Sequence, residues 1–353
     1  MRTALTLLGA SMTTLLLAAS PAQAAPETPV ECNQVVTGTV KLANDLVCLE
    51  TDGLIIGSDN TVIDLNGKRI VCIGAGYEGS CQGIVPPGGV SDPEFENGVD
   101  IDGKRNVHVF TSVPGATITG FDNGVNINRS SNVKVEHLVI TGPPQSSDPA
   151  NPRPASHGVL IRGANCGGGS LHIGTGQGSG NDISNNNQGI AINGDCVDIV
   201  HNRLHDNDGG NSARFGFPVA PPSNGLLISD GSRNVVRGNE VERNGDDDET
   251  IDAGIRIRRS GSTDNLITNN EVNKNLGDGI LIEQNAAANF ITNNTMRLNG
   301  GPLSGTAFYD AAGRDAPGGR PGDQPLNVWN QNNRCLTQNQ EVPPGTCGPD
   351  EGK

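Results

Sequence analysis

The chain repeats itself. A glycine followed by two apolar residues, with one residue between them, recurs as Gly98-Val99-Asp100-Ile101, Gly124-Val125-Asn126-Ile127, Gly158-Val159-Leu160-Ile161 and Gly189-Ile190-Ala191-Ile192, then as Gly225-Leu226-Leu227-Ile228, Gly254-Ile255-Arg256-Ile257 and Gly279-Ile280-Leu281-Ile282. A second pattern, Asn-x-apolar-x-x-Asn, runs from Asn181 to Asn186, Asn202 to Asn207, Asn239 to Asn244, Asn270 to Asn275 and Asn294 to Asn299. Asn270 and Asn294 lie 24 residues apart, and Gly254 and Gly279 lie 25 apart. A fixed period of this size is the mark of a solenoid built from one small unit per turn. Within each unit the two apolar residues share one face and the residue between them takes the other. Strands this short bury that face only by stacking on their neighbours, about 4.8 Å per coil.

The stacking explains how a chain with 34% hydrophobic residues keeps a core. It predicts an all-β fold, a single-stranded parallel β-helix with disulfide-bonded end segments. The 49 glycines and the Asn-Gly and Asp-Gly steps suit corners that need positive φ. The longer gaps, Asp208 to Asn224 and Asp246 to Asp252, read as insertions between coils. Residues 25–45 are expected to cap the start, residues 46–310 to form the helix, and residues 311–353 to form a cap or a partly disordered tail, because an open solenoid end must be shielded.

The chain opens with Arg2, an apolar stretch through Leu17, and Ala22-Gln23-Ala24, the order of a secretory signal, so residues 1–24 are expected to be removed. Loss of Arg2 takes the formal charge from -15 to -16. So acidic a protein repels phosphate backbones, which disfavours nucleic-acid partners, and no segment is apolar for long enough to span a membrane. Eight cysteines in an exported chain imply disulfides. Sequence proximity pairs Cys32 with Cys48, Cys72 with Cys81, Cys166 with Cys196 and Cys335 with Cys347. Cys166 and Cys196 follow the glycines of consecutive coils by eight and seven residues, so they should stack within bridging distance.

From about residue 46 to 310 these motifs resemble the pectate-lyase-like right-handed parallel β-helix superfamily and its NosD-like parallel β-helix repeat families. The resemblance implies the architecture. It spans lyases, hydrolases, epimerases, tailspikes and non-catalytic modules, so it implies no single activity. The DPHD motif of mannuronan epimerases is missing; Tyr309-Asp310-Ala311-Ala312 lacks the histidine. Copper ligation of the kind proposed for NosD is disfavoured by a single methionine, Met296, beyond the signal and by scattered histidines.

Chemistry is expected where charge gathers on the outward residues of the glycine strands. Asp246, Asp247, Asp248, Asp252 and Asp278 would converge at one corner, where hard oxygen ligands in a loop suit Ca²⁺. Beside them lie Arg256, Arg258 and Arg259, with Glu283 one coil on. Removal of the proton alpha to a uronate carboxyl needs that carboxylate neutralised, a base at the carbon and help for the leaving oxygen. Arg256, Arg258 and Glu283 are therefore the catalytic candidates, with Arg162, Arg259 and Asn193 as substrate-binding residues. The expected function is a secreted, monomeric protein engaging extracellular acidic polysaccharide, with Ca²⁺-assisted β-elimination as the reaction and hydrolysis by a carboxylate pair second. The competing class is a non-catalytic extracellular binding or structural module, in which the arginines and acids form only a solvated ion-pair network. His157, His201 and His205 read as corner residues, and the asparagine rows as turn-satisfying ladders.

Overall fold

The computed structural model describes residues 25–74, 81, 96–143, 156–208, 223–245, 252–283, 285–299, 308–310, 327–329 and 333–336. Its strands run in three parallel sheets of 11, 10 and 10 strands, each strand hydrogen-bonded to its counterpart one coil away. One coil is Gln188–Gly194, then Val197–Val200, then Arg203–His205, and the next begins at Asn224–Ser229. The three strands of a coil thus fall in three different sheets, the right-handed parallel β-helix that the repeats predict. Pairing already includes Glu27–Thr28, Gln34–Val36 and Thr39–Leu42, and it continues to Val328–Trp329 and Arg334–Leu336. The stack therefore extends beyond the 46–310 interval at both ends.

The core follows from register. In the glycine-strand sheet Val99, Val125, Val159, Ile190, Leu226, Ile255 and Ile280 lie opposite one another coil after coil, all fully buried. The sheet of the asparagine pattern contributes the row Ile140, Ile183, Leu204, Val241, Val272 and Met296. Burying each such side chain contributes about 1.5–3 kcal/mol, so the ladders carry the stability that any one short strand lacks.

The recurring glycine has a different cause from the one its frequency suggests. A Cβ at Gly98, Gly124, Gly158 or Gly189 would lie 2.5–2.6 Å from the carbonyl oxygen of the equivalent glycine one coil on. None of these glycines is among the positive-φ residues. The column exists because consecutive backbones and the core isoleucine of the adjacent sheet leave no room for a side chain. Positive φ is taken by other glycines, among them Gly67, Gly103, Gly163 and Gly238, and by asparagines such as Asn66, Asn132, Asn185, Asn269 and Asn293, whose short polar side chains tolerate that region.

Corner asparagines also stack inside the helix. Asn181, Asn202, Asn239, Asn270, Asn294 and Asn333 form one ladder, and Asn186, Asn207, Asn244, Asn275 and Asn299 a second. A third, Asn234, Asn265, Asn289 and Asn327, had no counterpart in the sequence reading. Along the first two ladders the amide nitrogens donate to backbone carbonyls and to the next Oδ1, which satisfies corner backbone that would otherwise be buried unpaired. Disulfides join Cys32 to Cys48, Cys72 to Cys81 and Cys166 to Cys196, as expected from proximity. Cys347 lies outside the described residues, as does the pairing expected between it and Cys335.

Candidate functional site

Beside its core rows the glycine-strand sheet is ordered into three columns running along the helix axis. The edge column reads Asn97, Asn123, His157, Gln188, Asn224, Ala253 and Asp278; the middle column reads Asp100, Asn126, Leu160, Ala191, Leu227, Arg256 and Leu281. The third column includes Asp102, Asn128, Arg162 and Asn193, and further along Ser229 and Arg258. Equal register makes every outward position a stripe, so any chemistry on this face is built from residues about 25–35 positions apart in sequence.

The middle column is not the solvent-facing row expected. Leu160, Ala191, Leu227, Arg256 and Leu281 are all 6% exposed or less. Arg256 is tolerated there because Glu283, one coil on, neutralises it. The Glu283 Oε1 accepts from Arg256 Nε at 2.6 Å and also from Nη2, a charge-assisted pair that offsets part of the desolvation cost. Arg256 Nη1 remains buried without a partner. Arg258 is half-buried, donates to Ser229 Oγ at 3.2 Å and forms no ion pair among the described residues; burial, with Arg256 and Arg259 beside it, lowers its pKa from the ordinary arginine value. Arg162 is exposed and likewise forms no ion pair among the described residues. Arg259 is an exposed partner of Asp230 at 2.9 Å. Asn193 is exposed between the Arg162 and Ser229 coils. The expected cluster is thereby divided: Arg256 and Glu283 satisfy each other, whereas Arg162 and Arg258 are cations without carboxylate partners.

Asp246, Asp247 and Asp248 lie outside the described residues. Asp252 is buried, and its Oδ1 accepts the backbone N–H of Ser223 at 2.7 Å; Asp278 stands one coil on, its N–H bonded to the Asp252 carbonyl at 2.9 Å. Among the described residues no three His, Cys, Asp or Glu side chains gather as a metal cage. Three of the five expected ligands thus lie outside the described residues, a Ca²⁺ site takes six to eight oxygens, and no step is derived through the ion.

A polar group at the other end of the face escaped the sequence reading. Asp52 accepts from Asn97 N at 2.6 Å and Asn97 Nδ2 at 3.3 Å, Asn123 Nδ2 donates to Asn97 Oδ1 at 2.9 Å, and His157 Nδ1 lies 3.0 Å from Asn123 Oδ1. Beside this chain burial first, then the neighbouring Asp122, push the Glu96 carboxyl up to about 7. Burial first and Arg162 second push His157 down to about 4. Asp100, also raised by burial, accepts Asn126 Nδ2 at 2.8 Å. The signal was present: Glu96 and Asp122 each stand two residues before a signature glycine, and His157 one before. Only known register turns those offsets into contact.

Residues 95–335 match the model of the family described as the right handed beta helix region, more than half of the chain, and the protein belongs to that family. Among solved structures it is similar to the Dettilon tailspike protein at 16% identity and TM-score 0.45, covering 84% of this chain and 55% of that one. It is also similar to a double-mutant form of the periplasmic alginate epimerase AlgG at 14% identity and TM-score 0.36, covering 76% and 60%. A third likeness is to the A-module of an Azotobacter vinelandii mannuronan C-5 epimerase, at 11% identity and TM-score 0.36, covering 82% and 88%. The chain thus spans little more than half the length of the first two. At these identities the likeness is one of fold. No curated protein sequence matches the chain.

Proposed function

We propose that this is an exported β-helix protein that binds an acidic polysaccharide along the outer face of its glycine-strand sheet and cleaves it by β-elimination. The observation that carries the reading is the third column: Arg162 and Arg258, neither in an ion pair among the described residues, are separated by the amide of Asn193 and the hydroxyl of Ser229. Three coil steps place the two guanidiniums about 14 Å apart. A strip of cation, amide, hydroxyl and cation on a chain of net charge -15 is a local exception to the protein's own field. It matches a linear ligand bearing carboxylates and hydroxyls, since guanidinium recognises carboxylate in bidentate fashion. Three disulfides fit an oxidising compartment outside the cytoplasm. Among the described residues no helix is long and apolar enough to cross a membrane.

Calorimetric titration with polymannuronate, polyguluronate and polygalacturonate tests the binding. One polymer is expected to bind, more weakly as salt rises, and Arg162→Ala with Arg258→Ala should abolish that binding without changing the far-ultraviolet spectrum. Cleavage is read as absorbance of the unsaturated uronate product, with and without Ca²⁺. Binding without absorbance and without new reducing ends would instead identify a non-catalytic module.

A further inference from the structure

The sheet that carries the asparagine pattern bears a closed circuit of charges on its outer face. Asp182, Arg203 and Glu240 lie opposite one another in successive coils, as do Ser184, His205 and Glu242. The residues between the two columns, Ile183, Leu204 and Val241, are fully buried, so both columns face outward. We infer that six side chains here form a pH-operated clasp, a ring that ties three coils together while both nitrogens of His205 are protonated and opens between His205 and Asp182 when one proton leaves.

Asp182 Oδ1 lies 2.7 Å from His205 Nε2, and His205 Nδ1 lies 2.6 Å from Asp206 Oδ2. Arg243 donates to Asp206 from Nε at 2.7 Å and from Nη2 at 3.0 Å, and its Nη1 lies 2.8 Å from Glu242 Oε2. Arg203 Nη2 donates to Glu242 Oε1 at 2.6 Å, and Arg203 Nη1 returns to Asp182 Oδ2 at 3.6 Å. Three carboxylates thus alternate with three cations, and every member meets two others. The side chains of His205 and Glu242 are only 14% and 11% exposed, which shelters their contacts from the screening that makes exposed ion pairs worth little. The charged groups bordering the ring are Glu240, 3.7 Å from Arg203 Nε, Glu271 one coil past Glu240, and Lys274, in the corner one coil past Arg243. On the other side stand Val139 and Thr141, which do not titrate.

The contacts fix the protonation state. An ionised carboxylate only accepts hydrogen bonds. Asp206 takes two from Arg243 and Asp182 also faces Arg203, so both are ionised and each nitrogen of His205 must carry a proton. The groups shift in the matching sense: Asp182 is the first cause holding His205 above its ordinary 6.5, His205 the first cause lowering Asp182, and Arg243 the first cause lowering Asp206. The clasp is therefore closed below the ordinary histidine value and is lost as pH rises through the raised, folded one. A neutral His205 has one N–H for two carboxylates. Asp206 is its neighbour in sequence and is doubly held by Arg243, so the remaining proton stays on Nδ1. Nε2 then turns a lone pair towards Asp182 Oδ1, and that side-chain tie to the preceding coil opens, leaving Asp182 with Arg203 at 3.6 Å.

Asp182 and Arg243 sit on opposite sides of the ring and do not pair with each other, so any coupling between them must run through it. Urea unfolding of the full-length wild type, Asp182→Asn, Arg243→Gln and the double variant is compared at pH 6 and pH 9, in salt high enough to screen direct attraction between the two sites. At pH 6 either single change opens the same ring, so the double variant should lose less than the sum, by about threefold or more in the unfolding constant; at pH 9 the losses should add. Amide exchange at Leu204 and His205, corrected for its intrinsic pH dependence, should quicken in the wild type between pH 6 and pH 9, whereas His205→Gln should exchange fast at both. Equal coupling at the two pH values overturns the inference, and so does wild-type exchange that stays constant between them. The exchange of the wild type requires no substitution, so it decides the question even if a variant fails to fold.

Discussion

Asn239 is the place to test whether the asparagine ladders hold the coils together. Its Nδ2 donates to the Ile199 carbonyl at 2.9 Å and to Asn270 Oδ1 at 3.0 Å, and its Oδ1 accepts the N–H of Asn202 at 2.8 Å and Asn202 Nδ2 at 3.2 Å. After Asn239→Ala, Asn202 Nδ2 keeps the Ile173 carbonyl and Asn270 Oδ1 keeps the N–H of residue 239. The Ile199 carbonyl and the Asn202 N–H lose their amide partner in a buried site. At about 1–3 kcal/mol for each such group, the expected loss is about 2–6 kcal/mol, against about 0.5–1.5 kcal/mol for Asn128→Ala, where a half-buried amide gives up one bond to the exposed Asp102. Urea unfolding followed by far-ultraviolet circular dichroism reads the difference, with m-values compared because a solenoid can unfold in segments. Asn239→Asp is the sharper variant. It replaces both donors with an acid against the Ile199 carbonyl and Asn270 Oδ1, so burial raises its folded pKa above the unfolded 3.9. Stability is then lost as pH rises through the interval between those values, and this variant should be closer to wild type at pH 4 than at pH 7. An Asn239→Ala variant as stable as Asn128→Ala would show that the ladder merely fills space, and the argument from buried backbone would fail.

Gly189→Ala places a Cβ 2.5 Å from the Gly225 carbonyl oxygen and 2.9 Å from Asn207 Nδ2, so the melt should show destabilisation of about 1–3 kcal/mol or more; Gly176→Ala, with only Ser179 Oγ near at 3.9 Å, should be close to neutral. His205 bridges Asp182 at 2.7 Å and Asp206 at 2.6 Å, and the Asp182 bond is the largest cause raising its pKa. That contribution is full below the unfolded value near 6.5 and is lost as pH rises through the folded value, so calorimetry should find that His205→Gln lowers the melting temperature more at pH 5.5 than at pH 8.5. The Cys166–Cys196 bridge spans a sequence separation of 30. Replacing both by serine should cost about 3.6 kcal/mol on the chain-entropy estimate, and an unchanged melt would mean that the stacked coils already confine that segment.

What the sequence determined by itself is the repeat and everything that repetition implies. Recurrence of the glycine–apolar pattern at Val99, Val125 and their successors, 25 to 36 residues apart, sets the register, because a slip of one residue would turn each inward side chain outward; stacked coils, apolar ladders and the bridging of Cys166 with Cys196 follow. The Asn270 and Asn294 rows were legible for the same reason, whereas the Asn234, Asn265, Asn289 and Asn327 ladder went unread although Asn234, Asn265 and Asn289 open the same Asn-x-apolar-x-x-Asn pattern five residues before Asn239, Asn270 and Asn294. Tertiary structure alone decided the rest. It showed that the signature glycines answer to backbone crowding rather than to φ, because an approach of consecutive coils exists only once they are stacked. It showed Arg256 buried against Glu283 and left Arg162 and Arg258 without ion-pair partners among the described residues, because neutralisation depends on which charges meet across a coil. And it joined His157 to the Asn97–Asn123 chain. Those residues lie tens of positions apart, and hydrogen bonds and desolvation depend on distances of a few ångströms that a local pattern does not encode.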